Sequence, residues 1–219
     1  MGHDELVSVI ASFYSTHPWI FNNQRVLDAF KTVNRADFLP EALRGKAYED
    51  KPIPINGEQP CSQPQMIAIM ANALELKPGL NVLMIGTGSG YTDAIVYEAM
   101  KRQGRLTTVE IDEQLHDIGR RNLERHFGQL EGKIEFVLGD GSVGYEKNAP
   151  YDRICLTAAA NKKTFRKRVL SRQIQRDGIL LFPESSTKRL LSYRKGIFGL
   201  YDRREICCAR FVALQGQNL

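Results

Sequence analysis

The stretch Val82-Leu83-Met84-Ile85-Gly86-Thr87-Gly88-Ser89-Gly90-Tyr91, "VLMIGTGSGY", runs from a short apolar strand pattern into a loop with glycine at every second position. A helical pattern follows over residues 91–100. Glycine leaves the backbone bare, and helix N-terminal amides lie nearby, so the loop predicts a ligand site. It lacks the GxGxxG spacing of dinucleotide enzymes and the Lys-Ser/Thr ending of a P-loop, which favours a nucleoside with a compact charged tail over a pyrophosphate or triphosphate.

Two carboxylates stand where such a nucleoside would need them. Glu110 ends the next predicted strand, twenty residues after Gly90, and its carboxylate can accept hydrogen bonds from both hydroxyls of a ribose. Asp140 follows a further strand, between two glycines, where it can accept a hydrogen bond from an adenine amine. The alternatives are a surface acid at a strand end for Glu110 and an ordinary turn around Asp140.

Short apolar runs alternate with charged, amphipathic stretches from residue 80 onward, which predicts parallel strands separated by helices. The predicted strands cover residues 82–85, 106–111, 134–138, 154–157 and 179–182. Two later runs, residues 189–193 and 207–214, flank a glycine-containing turn and predict an antiparallel pair. The predicted fold is α/β: a Rossmann-like, doubly wound, mostly parallel seven-stranded sheet with an antiparallel edge pair and an N-terminal helical cap.

The first sixty residues have a different pattern. Apolar residues at helical spacing predict two helices, one around Leu6 and Ile10 and one around Val26 and Phe30. Prolines then predict extended chain over residues 38–40 and 52–55, because proline fixes φ and disfavours helix at the residue before it. A further helix is predicted over residues 65–76. We therefore expect a helical cap with an extended arm, residues 1–60, and a main domain, residues 61–219, in one compact unit.

The composition is that of an ordinary soluble protein, with 42% hydrophobic and 25% charged residues. No apolar run approaches the ~18 residues of a membrane span, and no export signal opens the chain, so we expect no membrane partner. The four cysteines show no metal-ligand spacing, and two of them are adjacent, which disfavours a disulfide framework. A reducing cytoplasm is the expected location.

The net charge of +5 is concentrated in a basic segment, residues 162–176, which holds seven lysines and arginines. A solvated helix face is the simplest interpretation. An attraction for nucleic acid or for an acidic polypeptide is the alternative. Only Phe165 interrupts the basic run, and this scarcity of aromatic residues disfavours nucleic acid.

Motifs along nearly the whole chain resemble the class I S-adenosylmethionine-dependent methyltransferases and, more narrowly, the protein-L-isoaspartate O-methyltransferase family. The glycine loop and its acidic partner are shared by methyltransferases in general, whereas the proline-rich arm, the Ser-x-Pro segment and the YDRI..TAAA run are specific to this family. The motifs are NRADFLP (34–40), AYEDKPIPI (47–55), EQPCSQP (58–64), IGTGSGY (85–91), GDG (139–141), APYDRICLTAAA (149–160) and FVALQG (211–216).

The resemblance implies methyl transfer, without a metal, from S-adenosyl-L-methionine to the α-carboxylate of L-isoaspartyl residues in damaged proteins. The ester then collapses to a succinimide, whose hydrolysis returns some normal aspartate. A carboxylate is already a nucleophile, so catalysis would consist of aligning oxygen, methyl carbon and sulfur. Two alternatives stay open: a diverged relative that methylates another carboxylate, such as an aspartate in a dedicated peptide, and a protein that binds a nucleoside or nucleic acid without transferring methyl groups.

The resemblance also assigns site residues. Ser62 would donate a hydrogen bond that orients the substrate carboxylate, although a serine before Gln-Pro can instead cap the following helix. Val212 matches a position that lies against the substrate backbone, and Pro60 and Cys61 complete the implied substrate site. The implied cofactor-binding residues are Gly86, Thr87, Gly88, Ser89, Gly90, Tyr91, Glu110, Ile111, Asp140 and Gly141.

Three positions depart from the family pattern. Met84 stands where methyltransferases carry an acid that anchors the amino end of the cofactor's methionine moiety, and loss of such a contact costs about 1.5–3 kcal/mol unless it is replaced, for example by Gln59 or Gln65. Pro60 stands where the family has threonine, which removes a backbone donor beside the substrate. The third departure is the basic segment, which begins a helix that is less basic in the family.

Overall fold

The N-terminal part of the chain forms helices and a small hairpin. A computed structural model of the protein describes residues 2–57, 59–161 and 167–216. Helices α1 (His3–Thr16) and α2 (Gln24–Thr32) confirm the two predicted N-terminal helices. Two 3₁₀ turns follow, and then strands β1 (Ile53–Asn56) and β2 (Gln59–Cys61) pair antiparallel.

The extended conformation predicted for residue 38 is wrong. Phe38 ends a 3₁₀ turn, Arg35–Phe38, and the chain is extended only at Leu39 and Pro40, before a second 3₁₀ turn, Glu41–Lys46. The turn forms because the side chain of Asn34 accepts a hydrogen bond from the amide of Ala36 at 3.0 Å, which caps its first residues. The proline rule therefore applied to the residue directly before Pro40 and not to the one before that.

The main sheet has seven strands in the order β5-β4-β3-β6-β7-β8-β9. Strands β3 to β7 are parallel, and β8 pairs antiparallel with both β7 and β9, which confirms the predicted topology. The elements, in chain order, are α3 (Pro64–Ala73), β3 (Leu80–Ile85), α4 (Tyr91–Ala99), β4 (Gly104–Glu110), α5 (Glu113–Phe127), β5 (Ile134–Leu138), β6 (Tyr151–Leu156), α6 (Lys167–Gln173), β7 (Ile174–Glu184), β8 (Arg189–Lys195) and β9 (Leu200–Cys208).

Strand β3 lies at the centre of the sheet and is covered on both faces. Val82 and Met84 belong to one hydrophobic core, which also contains Leu6 and Phe30 of the N-terminal helices, whereas Leu83 belongs to a second core on the other face. This double burial explains the continuous apolar run of β3. Its neighbours β4 and β6 lie on opposite sides, so their connections diverge and leave a crevice at the carboxyl ends of the strands.

The last predicted strand, residues 207–214, is misplaced. Strand β9 covers Leu200–Cys208, and the chain beyond it leaves the edge of the sheet. Residues 211–214 return to the segment that follows β6, where Ala159 donates its amide to the carbonyl of Val212 at 2.7 Å and accepts from the amide of Leu214 at 2.9 Å. Strand β9 was missed because it is an exposed edge strand, rich in charges and lacking an apolar run.

The basic segment is only partly described. Lys162, Lys163 and Arg166 lie outside the described residues, and Arg168 is on α6. Lys167 has its ammonium 3.5 Å from the centre of the Tyr193 ring, a cation–π contact. Arg176 belongs to the start of β7. Within the described ranges, no helix is both long and apolar enough to cross a lipid bilayer.

Candidate active site

A cavity of about 600 Å³ opens at the carboxyl ends of β3, β4 and β6. One wall is formed by the glycine loop after β3 together with the end of β4. The opposite wall is formed by β2, the start of α3 and residues 210–215. The cavity therefore lies at the crevice where α/β sheets of this topology bind their ligands.

The glycine loop requires glycine at Gly86 for a steric reason. Gly86 has φ +99°, and a Cβ built there would collide with the hydroxyl of Thr157. That hydroxyl donates to the carbonyls of Ile85 at 3.0 Å and Gly86 at 2.7 Å, so the residue directly after β6 holds the start of the loop. Gly88 has φ +54° with open space where a side chain would stand, so its bare backbone faces the cavity.

Glu110 is held in place by the backbone. One carboxylate oxygen, Oε2, accepts from the amide of Gly88 at 2.9 Å, and the other, Oε1, accepts from the amides of Ile111 at 2.9 Å and Asp112 at 3.1 Å. The residue is 7% exposed and lines the cavity. These bonds bring Glu110 against the glycine loop, as the spacing predicts, and fix both oxygens for a ligand with two hydroxyls.

A second acid, Asp93, lies beneath the loop and was not anticipated. It is fully buried on α4, and its Oδ2 accepts a hydrogen bond from the hydroxyl of Thr108 at 2.6 Å. That hydroxyl is 2.7 Å from the hydroxyl of Thr87, which lines the cavity. Burial, with a smaller contribution from the Glu110 charge, raises the pKa of Asp93 to about 8.

Ser62 faces the cavity and does not cap the following helix. The N-cap of α3 is Gln63, without a side-chain cap, and the capping interaction comes instead from Asp50, whose Oδ1 accepts from the amide of Gln65 at 2.8 Å. Asp50 also accepts from the side-chain amide of Gln63 at 3.1 Å. The simple alternative for Ser62, a capping serine, is therefore excluded, and its hydroxyl is available to a ligand.

Arg35 fixes the backbone around Ser62. Its guanidinium is fully buried and donates to the carbonyls of Cys61 at 3.2 Å and Ser62 at 2.9 Å. It also donates to carbonyls of the arm, those of Ala47, Glu49 and Lys51, at 2.9–3.1 Å. One side chain therefore holds the arm and the Ser62 segment together, and the resemblance contained no role for it, although it belongs to the NRADFLP motif.

The structure brings most of the predicted site residues together. Gly90, Tyr91 and Asp140 do not line the cavity. A Cβ on Gly90 would lie 2.9 Å from the carbonyl of Gly119, so that glycine allows α4 and α5 to approach closely. The residues that do line it are Pro60, Cys61, Ser62, Gly86, Thr87, Gly88, Ser89, Glu110, Ile111, Gly141 and Val212.

Tyr91 and Asp140 have other roles in the described structure. Tyr91 is buried beneath the N-terminal helices, with ring centroids 6.3 Å from Phe30 and 5.6 Å from Phe38. Asp140 caps a 3₁₀ turn, where its Oδ1 accepts from the amide of Ser142 at 2.8 Å. A Cβ on Gly216 would lie 3.2 Å from the Asp140 oxygens, so the C-terminal segment packs against this carboxylate.

Other lining residues were not predicted individually. Thr157 and Phe211 belong to motifs that the resemblance contained, so each had a sequence signal, whereas Thr92 lies just beyond the glycine-loop motif. Of the two glutamines considered as replacements for the acid missing at Met84, Gln59 lines the cavity and Gln65 does not. Arg210 also lines it and has an exposed side chain.

Comparisons with known proteins identify the family. The family model described as "Protein-L-isoaspartate(D-aspartate) O-methyltransferase (PCMT)" matches residues 14–219. A protein-L-isoaspartate O-methyltransferase from Methanococcus maripaludis is 36% identical over all of this chain and 99% of its own length, and one from Methanococcus vannielii is 39% identical over 89% of this chain and 90% of its own length.

Solved structures share the fold. A protein-L-isoaspartate O-methyltransferase superposes with a TM-score of 0.82 at 24% identity, covering 99% of this chain and 67% of its own. A second such enzyme, from Plasmodium falciparum in complex with S-adenosyl-L-homocysteine, gives 0.78 at 20% identity and covers 98% of this chain and 99% of its own. With a family model matched over residues 14–219 and relatives similar over their full length, the chain belongs to the protein-L-isoaspartate (D-aspartate) O-methyltransferase family.

Proposed function

We propose that this protein transfers the methyl group of S-adenosyl-L-methionine to the α-carboxylate of L-isoaspartyl residues in damaged proteins, as a step of protein repair. Membership of the family supports the activity. The observation that carries the proposal is a single cavity that has Glu110 with the glycine loop on one wall and Ser62 on the other. A nucleoside cofactor and a carboxylate acceptor can therefore be held side by side.

The residues of the cavity fit this cofactor. Its volume of about 600 Å³ lies in the range of small-molecule sites. The ribose hydroxyls donate to Glu110, whose oxygens are already oriented by backbone amides. Ile111 and Leu115 give the base apolar surface, and the bare backbone at Gly88 leaves room for the methionine moiety. Gly141 lines the same region, next to the turn capped by Asp140.

When bound, S-adenosyl-L-methionine supplies a methyl group on a positively charged sulfur. The chain's own residues then only have to position the acceptor. Ser62 donates a hydrogen bond to one oxygen of the substrate carboxylate, so that the other oxygen points to the methyl carbon. Val212 and Pro60 contact the substrate backbone, and residues 211–214 exclude water from that side of the cavity.

The arm and the cap complete the site. We propose that residues 1–60 serve to hold the acceptor wall, because Arg35 joins the arm to the Ser62 backbone and Asp50 caps the helix after it. We propose a reducing cytoplasm as the location, because the four cysteines are free thiols in the structure.

A methyl-transfer assay tests the function. An isoaspartyl peptide and its normal aspartyl twin are compared with S-adenosyl-L-methionine as donor, and we expect label only in the isoaspartyl peptide. Equal labelling of both would indicate the diverged relative that methylates other carboxylates. Binding of the cofactor without labelling of either peptide would indicate a nucleoside-binding protein instead.

A further inference from the structure

We propose that Asp93 is a positioning residue that releases its proton when the cationic cofactor binds, so that a negative charge beneath the glycine loop favours S-adenosyl-L-methionine over its product S-adenosyl-L-homocysteine. The inference rests on the proposed function. It assigns a role to a buried acid that the alignment of oxygen, methyl carbon and sulfur does not require.

Two hydrogen bonds connect Asp93 to the cavity. Its Oδ2 accepts from the hydroxyl of Thr108 at 2.6 Å, and that hydroxyl is 2.7 Å from the hydroxyl of Thr87, a residue of the glycine loop that lines the cavity. The three side chains come from α4, β4 and the glycine loop, and all are buried. The Asp93 carboxyl group is therefore separated by only two hydrogen bonds from the loop that holds the methionine moiety.

Asp93 also reaches the face of the sheet on which Met84 lies. In the register of the sheet, Met84 pairs with Thr108 on β4 and with Cys155 on β6, so these three side chains share a face. Asp93 bonds to Thr108, and the pKa of the Cys155 thiol is raised mainly by burial, with a smaller contribution from Asp93. Helix α4 thus brings a carboxyl group to the face where Met84 contributes none.

The electrostatic surroundings of Asp93 lack a positive charge. The titratable groups that face it are Glu110 on β4 and Cys155 on β6, and in the described part of the chain no lysine or arginine is within ion-pair distance of either acid. The second oxygen, Oδ1, has no hydrogen-bond partner among the described residues. A carboxyl group in these surroundings retains its proton up to a pH near 8.

A cation in the cavity changes this balance. A nearby positive charge stabilises the ionised carboxylate, so binding of a sulfonium displaces the proton, whereas the uncharged thioether of the product does so less. Because linkage is reciprocal, raising the pH through the titration of Asp93 must strengthen binding of the cation more than binding of the product. Because the uncharged product binds the ionised site less tightly than the cation does, the same carboxylate favours product release after methyl transfer.

Isothermal titration calorimetry of the intact protein tests this. Titrations with S-adenosyl-L-methionine and S-adenosyl-L-homocysteine at pH 7, in buffers of different ionisation enthalpy, give the number of protons released. We expect more release with the sulfonium than with the product, and a smaller difference in Asp93→Asn. The product-to-donor ratio of Kd should rise with pH in the wild type, by at most tenfold per pH unit for one proton, and change less in Asp93→Asn.

Two further variants serve as a control and as an independent test. Asp117→Asn, at an exposed position on α5, should release the same number of protons as the wild type. Thr108→Val removes the hydrogen bond that stabilises the ionised form, so its proton release should move to higher pH. Protons released by the cofactor's own amino group are the same in every variant and cancel in the comparison. Equal proton release in wild type and Asp93→Asn would therefore overturn this inference but not the proposed function. Absence of cofactor binding to the wild type would overturn the proposed function as well.

Discussion

The two walls of the cavity are built in different ways. The nucleotide wall comes from two short stretches, residues 85–89 and 109–111, each located at the carboxyl end of a central strand. The acceptor wall combines Arg35 and its arm, residues 59–63, and residues 210–215, which are distant in the sequence. The first depends on local backbone geometry, and the second depends on long-range contacts that only the folded chain provides.

The walls also carry opposite charges. The nucleotide wall carries the Glu110 carboxylate, with the protonated carboxyl group of Asp93 beneath it. Behind the acceptor wall lies the guanidinium of Arg35, which is buried and bonded to carbonyls. In the described residues none of the three has an ion-pair partner of its own. This arrangement suits a cationic donor on one side and an anionic acceptor on the other, so each wall can be disabled separately.

Loss of Arg35 should have the largest effect. Arg35→Met leaves five carbonyls of the arm and the Ser62 segment without their donor, and unsatisfied buried acceptors cost ~1–3 kcal/mol each. Some of these carbonyls regain water, so we expect the free energy of unfolding to fall by about 3–5 kcal/mol in urea titrations.

Arg25→Met on α2 is the matched control, since its side chain is exposed and the change should stay within ~0.5 kcal/mol. If Arg35 mainly supports the acceptor wall, the variant's remaining folded protein still binds S-adenosyl-L-methionine and loses transfer to the isoaspartyl peptide. An equal loss of both would show that the two walls are not separable.

Asp93, beneath the nucleotide wall, should make the protein's free energy of unfolding depend on pH. Its pKa of about 8 in the folded protein exceeds that of an unfolded aspartate, so between about pH 4 and 8 the unfolded chain has lost a proton that the folded protein retains. The free energy of unfolding must then fall as the pH rises, by at most ~1.4 kcal/mol per pH unit.

Asp93→Asn removes this contribution. Urea unfolding at pH 5, 6 and 7 should therefore show a gap between variant and wild type that shifts in favour of the variant as the pH increases, by roughly 2–3 kcal/mol over the range. Because the other titrating groups are common to both proteins, the difference isolates Asp93. A gap that stays constant with pH would mean that the folded protein holds Asp93 ionised.

Glu110→Gln tests the nucleotide wall directly. The substitution removes the negative charge and replaces one carboxylate oxygen by an NH₂ group. This group cannot accept the hydrogen bonds that backbone amides donate to Glu110. A hydrogen bond to a charged group contributes ~1.5–3 kcal/mol, so Kd for S-adenosyl-L-methionine should rise about 10- to 150-fold in calorimetry. Glu113→Gln, exposed at the start of α5, should leave Kd unchanged. If Kd changes less than threefold in Glu110→Gln, the ribose lies elsewhere.

The difference between the walls also explains what the sequence could predict. The glycine spacing and the strand-end acid are local signals, so Gly86, Gly88 and Glu110 lie where they were expected. The motif predicted the wrong position for Tyr91. Its ring packs against Phe30 and Phe38 instead of the cavity, and the helix face that these residues cover is not apparent from the motif.

Long-range features were harder to predict. From the sequence alone, Arg35 is indistinguishable from a surface arginine, because its burial depends on the arm that folds over it. Asp93 likewise resembles an exposed polar residue in the first turn of a helix, because its burial depends on the sheet. The pairing of residues 211–214 with Ala159, after β6, could not be predicted, because a single bridge leaves no periodic pattern in the sequence. Burial of a charged group depends on contacts made elsewhere in the chain.

Ser62→Ala gives the smallest expected effect and tests the acceptor wall most cleanly. Removing one neutral hydroxyl donor costs ~0.5–1.5 kcal/mol, so kcat/KM for the isoaspartyl peptide should fall about 2- to 12-fold. Kd for S-adenosyl-L-methionine should not change, because the cofactor is held by the opposite wall. Ser186→Ala, at an exposed turn, controls for loss of a serine. An unchanged kcat/KM in Ser62→Ala would mean that backbone groups of the acceptor wall, fixed by Arg35, orient the carboxylate without this hydroxyl.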